Sequence, residues 1–377
     1  MANTPELRAK CAAFLQEHTE KIADLTAFVG LDGFVDDIVH VVDQRQDAEN
    51  YTRLKTITDM SERIGQAAGK STNIELVSQR TKIGGNGPIM ANALARFGIH
   101  ITYLGTLGYP SLHPVFESFS KRAEVHSINI PGHTNAIEFH DGKILASLLT
   151  PLSEVTWDLI CERFGKQQFA AKIMGCSLVG FVNWTMLPYM SQIWEKVLSE
   201  ICHGKPATQR KIFFDLADPE KRTPEDIRRA LELIGQFSAY FDVILGLNEK
   251  EAHEIGEVLG FDRGDDSPES LAGLMRKITA KVPVKTLVVH PVRYALAANG
   301  ADVDIVDGPF IEKPVITTGA GDHFNAGFCL GQLLGLDRDQ SLLCGVGTSG
   351  YYVRNGRGPS AEELAGFMLD WPENPAE

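Results

Sequence analysis

The sequence predicts an α/β protein: a doubly wound, mostly parallel sheet flanked by helices, with a small β lid. Three observations carry this expectation. First, residues 176–184, 211–217, 241–248 and 285–290 are short, continuous apolar runs, the composition of strands buried on both faces. Second, helical patterns at 188–201, 224–238, 249–259 and 268–279 stand between and after them, so the chain reads as repeated βαβ units. Third, 35–45 and 135–149 alternate apolar with polar residues, and Asp141-Gly142 gives the second stretch a hairpin turn, as in an antiparallel lid.

Taken in order, residues 1–24 form an N-terminal helical extension. Thr4 is its N-cap, Pro5 its first helical residue, and Leu7, Cys11, Phe14 and Ile22 share one face, a pattern unlike a signal-peptide core. Residues 25–35 open the main domain as a strand, and 35–45 enter the lid. Residues 46–80 are polar and read as a helical insertion. Residues 93–108 read as helix, turn and strand, and 135–149 return to the lid. The main domain runs over 25–362, with a C-terminal tail from 363.

The chain has 377 residues, 44% of them hydrophobic, enough for a large core. A net charge of −13 argues against nucleic acid or an anionic membrane as partner. No apolar run reaches the ~18 residues of a membrane span. The six cysteines form no C-x-x-C pair and lie mostly in apolar surroundings, as reduced thiols of a cytoplasmic protein do.

Two glycine motifs are decoys. GQAAGKST, 65–72, has three residues between Gly65 and Gly69 where a phosphate-binding loop needs four, and no strand precedes it; it reads as a helix ending at Gly69. GVGTSG, 345–350, spells a dinucleotide fingerprint, but sits in a helical segment near the C-terminus. It is the sole support for a nicotinamide-dependent oxidoreductase.

The chemistry lies in ITTGAGDHFNAGF, 316–328. A glycine-rich turn runs straight into a helix, where free N–H groups and the helix dipole favour an anion. The N–H groups of Gly319, Ala320 and Gly321 form the candidate anion hole. Asp322 is out of place beside a phosphate unless it takes the proton from a hydroxyl that attacks a phosphoryl group; the plain alternative is a helix cap.

The run T-x-G-A-G-D-x-F-x-A-G resembles the C-terminal signature of the ribokinase-like, or PfkB, carbohydrate kinases. The resemblance covers most of 25–360. GGNGPIMANALARFG (84–98) with YLGTLG (103–108) is similar to the N-terminal signature, FFDLADPEKR (213–222) to the middle strand, and LNEKEA (247–252) to the Asn-x-x-Glu motif. VGTSGYYVRNGRGPS (346–360) is similar to the last helix and loop. The resemblance implies an ATP- and Mg²⁺-dependent kinase of a sugar or sugar-like molecule, with Asp322 as catalytic base. Asn248 and Glu251 would organise Mg²⁺, Glu251 indirectly through water. Gly347 and Gly350 would let a helix pack close to the nucleotide.

The family places a sugar-binding aspartate a few residues after the glycine of the first strand. Asp32, Asp36 and Asp37 compete, and Asp36 fits best by its spacing to Ile38; a carboxylate can accept two sugar hydroxyls. Gly85, Asn86 and Glu138 are further substrate candidates. The chain departs from the family at Ile89, where an asparagine is usual and Asn86 would substitute. It departs again at Gly108-Tyr109-Pro110, at Ile316 in place of a cation-site aspartate, and at Pro291 in the adenine turn. Nearby His290 and Arg293 read as surface residues. A nucleoside kinase of the same fold and a non-catalytic sugar or nucleotide sensor stand as alternatives, and such lids often pair into homodimers.

Overall fold

The computed structural model describes residues 3–372. Its strands are β1 (Thr26–Leu31), β2 (Phe34–Arg45), β3 (Tyr51–Arg53), β4 (Leu76–Gly84), β5 (His100–Gly105), β6 (Glu124–Ser127), β7 (Gly132–Glu138) and β8 (Lys143–Leu148). They continue with β9 (Leu178–Phe181), β10 (Lys211–Asp215), β11 (Asp242–Leu247), β12 (Thr286–Val289), β13 (Tyr294–Asn299) and β14 (Asp302–Asp307). Nine form one sheet in the order β14-β13-β12-β11-β10-β9-β1-β5-β6. It is parallel from β12 to β6, and antiparallel at β13 and β14.

Both faces of this sheet are covered, which explains the continuous apolar runs. In β10 the side chains of Ile212 and Phe214 point into one core with helices Met190–Lys196, Pro224–Phe237 and Pro268–Lys281. Phe213, between them, points into the other, with helices Pro5–Glu17, Asn86–Phe97, Ala320–Leu334, Arg338–Asn355 and Ala361–Leu369. A strand alternates its side chains by period two, so two buried faces leave no polar position inside it.

The lid is a second sheet, β3-β2-β7-β8, with β4 also paired to β2. Asp141-Gly142 sits in the turn between β7 and β8 as expected. A separate small core of Val39, Val41, Leu54, Met60, Ile137 and Phe139 supports it.

Three expectations need correction. Residues 46–80 are not a helical insertion: only Ile57–Gln66 is helical, β3 lies within the segment, and β4 begins at Leu76. β4 is exposed over most of its length, so it carries no apolar period and is held by its backbone pairing to β2. The tail expected from 363 belongs instead to helix Ala361–Leu369, which buries Leu364, Ala365 and Met368. The N-terminal helix is capped by Thr4 as read, but breaks at His18 into Pro5–Glu17 and Thr19–Ala23. No helix among the described residues is long and apolar enough to cross a membrane. The six cysteines are all free thiols.

The helix carrying Asp322 packs closely on Arg338–Asn355 because glycines face it. A Cβ on Gly327 would stand 2.4 Å from both the Cys344 carbonyl oxygen and Thr348 Oγ1. Gly327→Ala forces two buried helices apart, so we expect a loss of about 1–3 kcal/mol, the usual scale of overpacking, measurable by urea denaturation.

Candidate active site

The strands of the main sheet end at one edge, and the polar residues gather there. Asp32 follows β1, Asn183 follows β9, Asp215 ends β10 and Asn248 follows β11. Ligands of open α/β sheets bind outside these carboxyl ends. Between this edge and the lid lies a cavity of about 850 Å³. From the lid come Asp36, Lys82, Glu138 and Lys143; from the main domain come Gly85, Asn86, Asn183, Thr317–Gly319 and Asp322.

Gly319 has φ 92° and caps the helix Ala320–Leu334, a backbone shape that favours glycine. The N–H of Ala320 is bonded to Thr317 O at 3.1 Å, which removes it from the expected anion hole. The N–H groups of Gly319 and Gly321 have no partner among the described residues and stay available. The turn is held from outside by side chains that sequence reasoning missed. Tyr352 donates to Thr318 O at 2.7 Å, and His323 Nδ1 lies 2.7 Å from Gly319 O. A carbonyl only accepts, so Nδ1 carries the proton. The two rings stack at 3.6 Å. Burial pushes the His323 imidazole down to about 4, so the ring is neutral at neutral pH.

Asp322 lies in the first turn of this helix and is buried, 8% exposed. Asn86 Nδ2 donates to its Oδ1 at 3.1 Å. Burial lifts its carboxyl to about 8; the Asn86 bond opposes the rise, and the charges of Asp32 and Glu251 add to it. Asn86 thus meets the catalytic candidate, not the substrate end alone.

Asp32 is not a cavity residue. It is fully buried, and accepts from Gly87 N at 3.0 Å, Asn183 Nδ2 at 2.7 Å and Tyr103 Oη at 3.2 Å. Its carboxyl is raised to about 6 by burial, against these hydrogen bonds. It anchors the Gly85–Gly87 turn that presents Asn86. Asp36 does line the cavity; burial raises its carboxyl against the pull of Lys82. Asp37 points the other way, bonded to Thr81.

Asn248 and Glu251 form a capping box: Asn248 Oδ1 accepts from Glu251 N at 2.9 Å and Glu251 Oε2 from Asn248 N at 2.8 Å. Glu251 Oε1 also accepts from Asp218 N at 2.9 Å. Next to them is Asp215, which the sequence reading quoted but gave no role. It accepts from Asn325 Nδ2 at 2.8 Å. Burial, then the charges of Glu251 and Asp322, raise it well above the carboxylate range.

The remaining residues lie away from the cavity lining. Gly347 and Gly350 do not face the cavity: a Cβ on Gly347 would meet Leu364 at 3.1 Å, and one on Gly350 would meet Pro309 at 2.2 Å. They let Arg338–Asn355 pack on protein. GVGTSG lies inside that helix. In GQAAGKST the helix stops at Gln66, three residues before Gly69, and Lys70 is exposed and away from the cavity. His290 is half-buried: its ring packs on Phe324 at 4.7 Å, and its Cε1 would lie 3.1 Å from a Cβ on Gly321. Arg293 is exposed, over the Phe310 ring.

The parallel sheet, the lid and a buried aspartate at a glycine-capped helix start define a ribokinase-like carbohydrate kinase. The chain belongs to the prokaryotic ketohexokinase family, whose sequence model matches residues 4–371. A ketohexokinase of Haloferax volcanii is 28% identical over 350 residues, 92% of each chain. A carbohydrate kinase from Agrobacterium tumefaciens superposes with TM-score 0.60 at 16% identity, covering 93% of this chain and 98% of that one. Arabidopsis thaliana ribokinase complexed with ribose and ATP gives 0.62 at 17%, covering 91% and 98%. At such identities the two structures show the fold alone.

The raised carboxyl of Asp322 sets a stability prediction. Its folded value lies above the unfolded one, so its contribution is complete below about 4 and is lost as pH rises through about 8. The Tm of Asp322→Asn relative to wild type should therefore rise between pH 5 and pH 8 in calorimetric scans; a constant difference would mean the carboxyl is not held high.

Proposed function

We propose that the protein transfers the terminal phosphoryl group of Mg-ATP to a hydroxyl of a ketohexose, with Asp322 as general base. The observation that carries this reading is a buried, proton-avid carboxylate in the first turn of a helix, opening on a cavity and flanked by the free N–H groups of Gly319 and Gly321. The acceptor O–H proton passes to an Asp322 oxygen as the hydroxyl oxygen bonds to phosphorus. The bond from phosphorus to the bridging oxygen breaks, and ADP leaves with that electron pair. The two N–H groups face the oxygens where charge develops. The name of the haloarchaeal relative supports a ketohexose acceptor.

The residues fit magnesium held through water. Among the described residues no three His, Cys, Asp or Glu side chains converge to ligate a metal directly. Asp215 and Glu251 are buried oxygen donors whose mutual repulsion a cation would relieve, and Asn325 Oδ1 beside Asp215 is buried without a hydrogen-bond partner. Hard oxygen ligands suit Mg²⁺. When bound, the ion would neutralise charge on the donor phosphates. At the acceptor end, Asp36 is the group best placed to accept sugar hydroxyls, with Glu138 further along the same cavity wall. The lid ends in the edge strand β8, whose Leu148 is 61% exposed, near Ile130 at 53% in sequence before β7; this supports pairing with a second copy.

With D-fructose and Mg-ATP, Asp322→Asn should lower kcat by ~10² to 10⁴, the scale of general-base loss, while nucleotide affinity holds. Near-normal turnover would sink the assignment. Asp36→Ala should raise the KM for the sugar at least ~10-fold, since charge-assisted hydrogen bonds contribute about 1.5–3 kcal/mol each, and leave the KM for ATP near wild type. Sensitivity at Asp37 in place of Asp36 would contradict the strand register.

A further inference from the structure

The cavity has an uneven distribution of charge. Its main-domain wall offers amides, hydroxyls, glycines and the carboxyl of Asp322, and behind that wall lie three more buried carboxyls, Asp32, Asp215 and Glu251. No lysine or arginine lines the cavity from this side. The four cationic side chains that do, Arg53, Arg80, Lys82 and Lys143, all come from lid strands. Their placement follows from register. Asp36 pairs with Lys82 and Ile38 with Arg80 across β2 and β4, so alternate residues of both strands present the same face inward.

None of these cations is hydrogen-bonded or ion-paired to a carboxylate, although the charges of Lys82 and Lys143 are felt at Asp36. Arg80 and Lys82 have no hydrogen bond or ion pair among the described residues, and Arg53 donates to the neutral acceptor His40 Nε2 at 2.6 Å. Lys143 reaches out of the lid and donates to Thr318 Oγ1. Thr318 directly precedes Gly319, so the ammonium stands over the turn whose N–H groups form the anion hole. The charge of Arg80 is felt at the Tyr352 hydroxyl, which is itself bonded to Thr318 O. Lys143 therefore touches the turn, and Arg80 lines the same cavity from a second lid strand.

A terminal phosphoryl group in this turn would meet four buried carboxyls from the main domain and no opposing side-chain charge. Coulomb energy at a few ångströms in a site screened from water is large, and the charge on the phosphoryl oxygens must be balanced for transfer. We propose that the lid, and not the main sheet, supplies this balance: Lys143 and Arg80 contact the oxygens of the migrating phosphoryl group when the lid lies over the turn. Closure and electrostatic stabilisation are then one event, and an open lid leaves the base and the anion hole in place without turnover. This inference rests on the kinase reading above and adds the source of the charge.

The test uses the full chain with Lys143→Met and Arg80→Met, which remove the charge at exposed positions and leave an unbranched side chain. With Mg-ATP and D-fructose, each should lower kcat by at least ~30-fold while the KM for the sugar changes less than ~3-fold, and Lys143→Arg should restore part of the rate. Calorimetric titration without acceptor should show that each methionine variant loses affinity for a non-hydrolysable ATP analogue at least ~10-fold more than for ADP, because only the analogue carries the terminal phosphoryl. An unchanged kcat with a raised sugar KM would overturn the proposal and assign the lid cations to the acceptor. An equal loss for the analogue and ADP, or none, would overturn it as well. A wild type that binds both nucleotides yet phosphorylates no ketohexose would count against the kinase reading alone, and the titration would still decide the lid.

Discussion

The chemistry proposed for this site depends on keeping Asp322 buried at the start of a helix. A carboxyl removed from water resists ionisation, and the helix terminus beside it attracts anions. The fold meets both demands with neutral partners. Asn86 supplies one hydrogen bond, while Asp32, further back, spends its own oxygens on Gly87, Asn183 and Tyr103 and so fixes the turn bearing Asn86. Apart from Tyr103, which lies within β5, these residues sit at or just beyond a strand or helix end, where the parallel sheet brings separate stretches of sequence to one edge.

Much of the main sheet was legible in the sequence, for a simple reason. Strands such as β10 and β11, buried on both faces, have interiors written in uninterrupted apolar residues, and the helical patterns between them mark them as strands. Asp322, Gly319 and Gly321 were legible too, because a glycine turn entering a helix leaves few choices of residue. The lid was only half legible. β2 and the β7–β8 hairpin have an apolar face over their own small core, but β4 is exposed along most of its length, and backbone pairing leaves no trace in composition.

The site lost information in a different way. Asp215 stood in a quoted motif, but its partners Glu251 and Asn325 lie 36 and 110 residues away, and only the folded chain shows that their charges and amide meet. Gly347 and Gly350 show the converse. Their spacing suggested a ligand, yet the nearest atoms belong to Leu364 and Pro309. A glycine reports that something comes close, and sequence does not say whether that is a nucleotide or another helix.

The stacked pair of His323 and Tyr352 has a wider consequence. By fixing the carbonyls of Thr318 and Gly319, it orients the neighbouring amides before any ligand arrives, so the reorganisation that water would have to undergo around a phosphate is completed during folding. One of the two rings comes from the penultimate helix of the described chain, which packs against the helix ending at Leu369. The shape of the turn therefore depends on a side chain 34 residues further along, and not on the glycine motif alone. With sheet and lid assembled but helix Arg338–Asn355 undocked, Thr318 O would lose its Tyr352 partner and the aspartate would follow an unshaped turn.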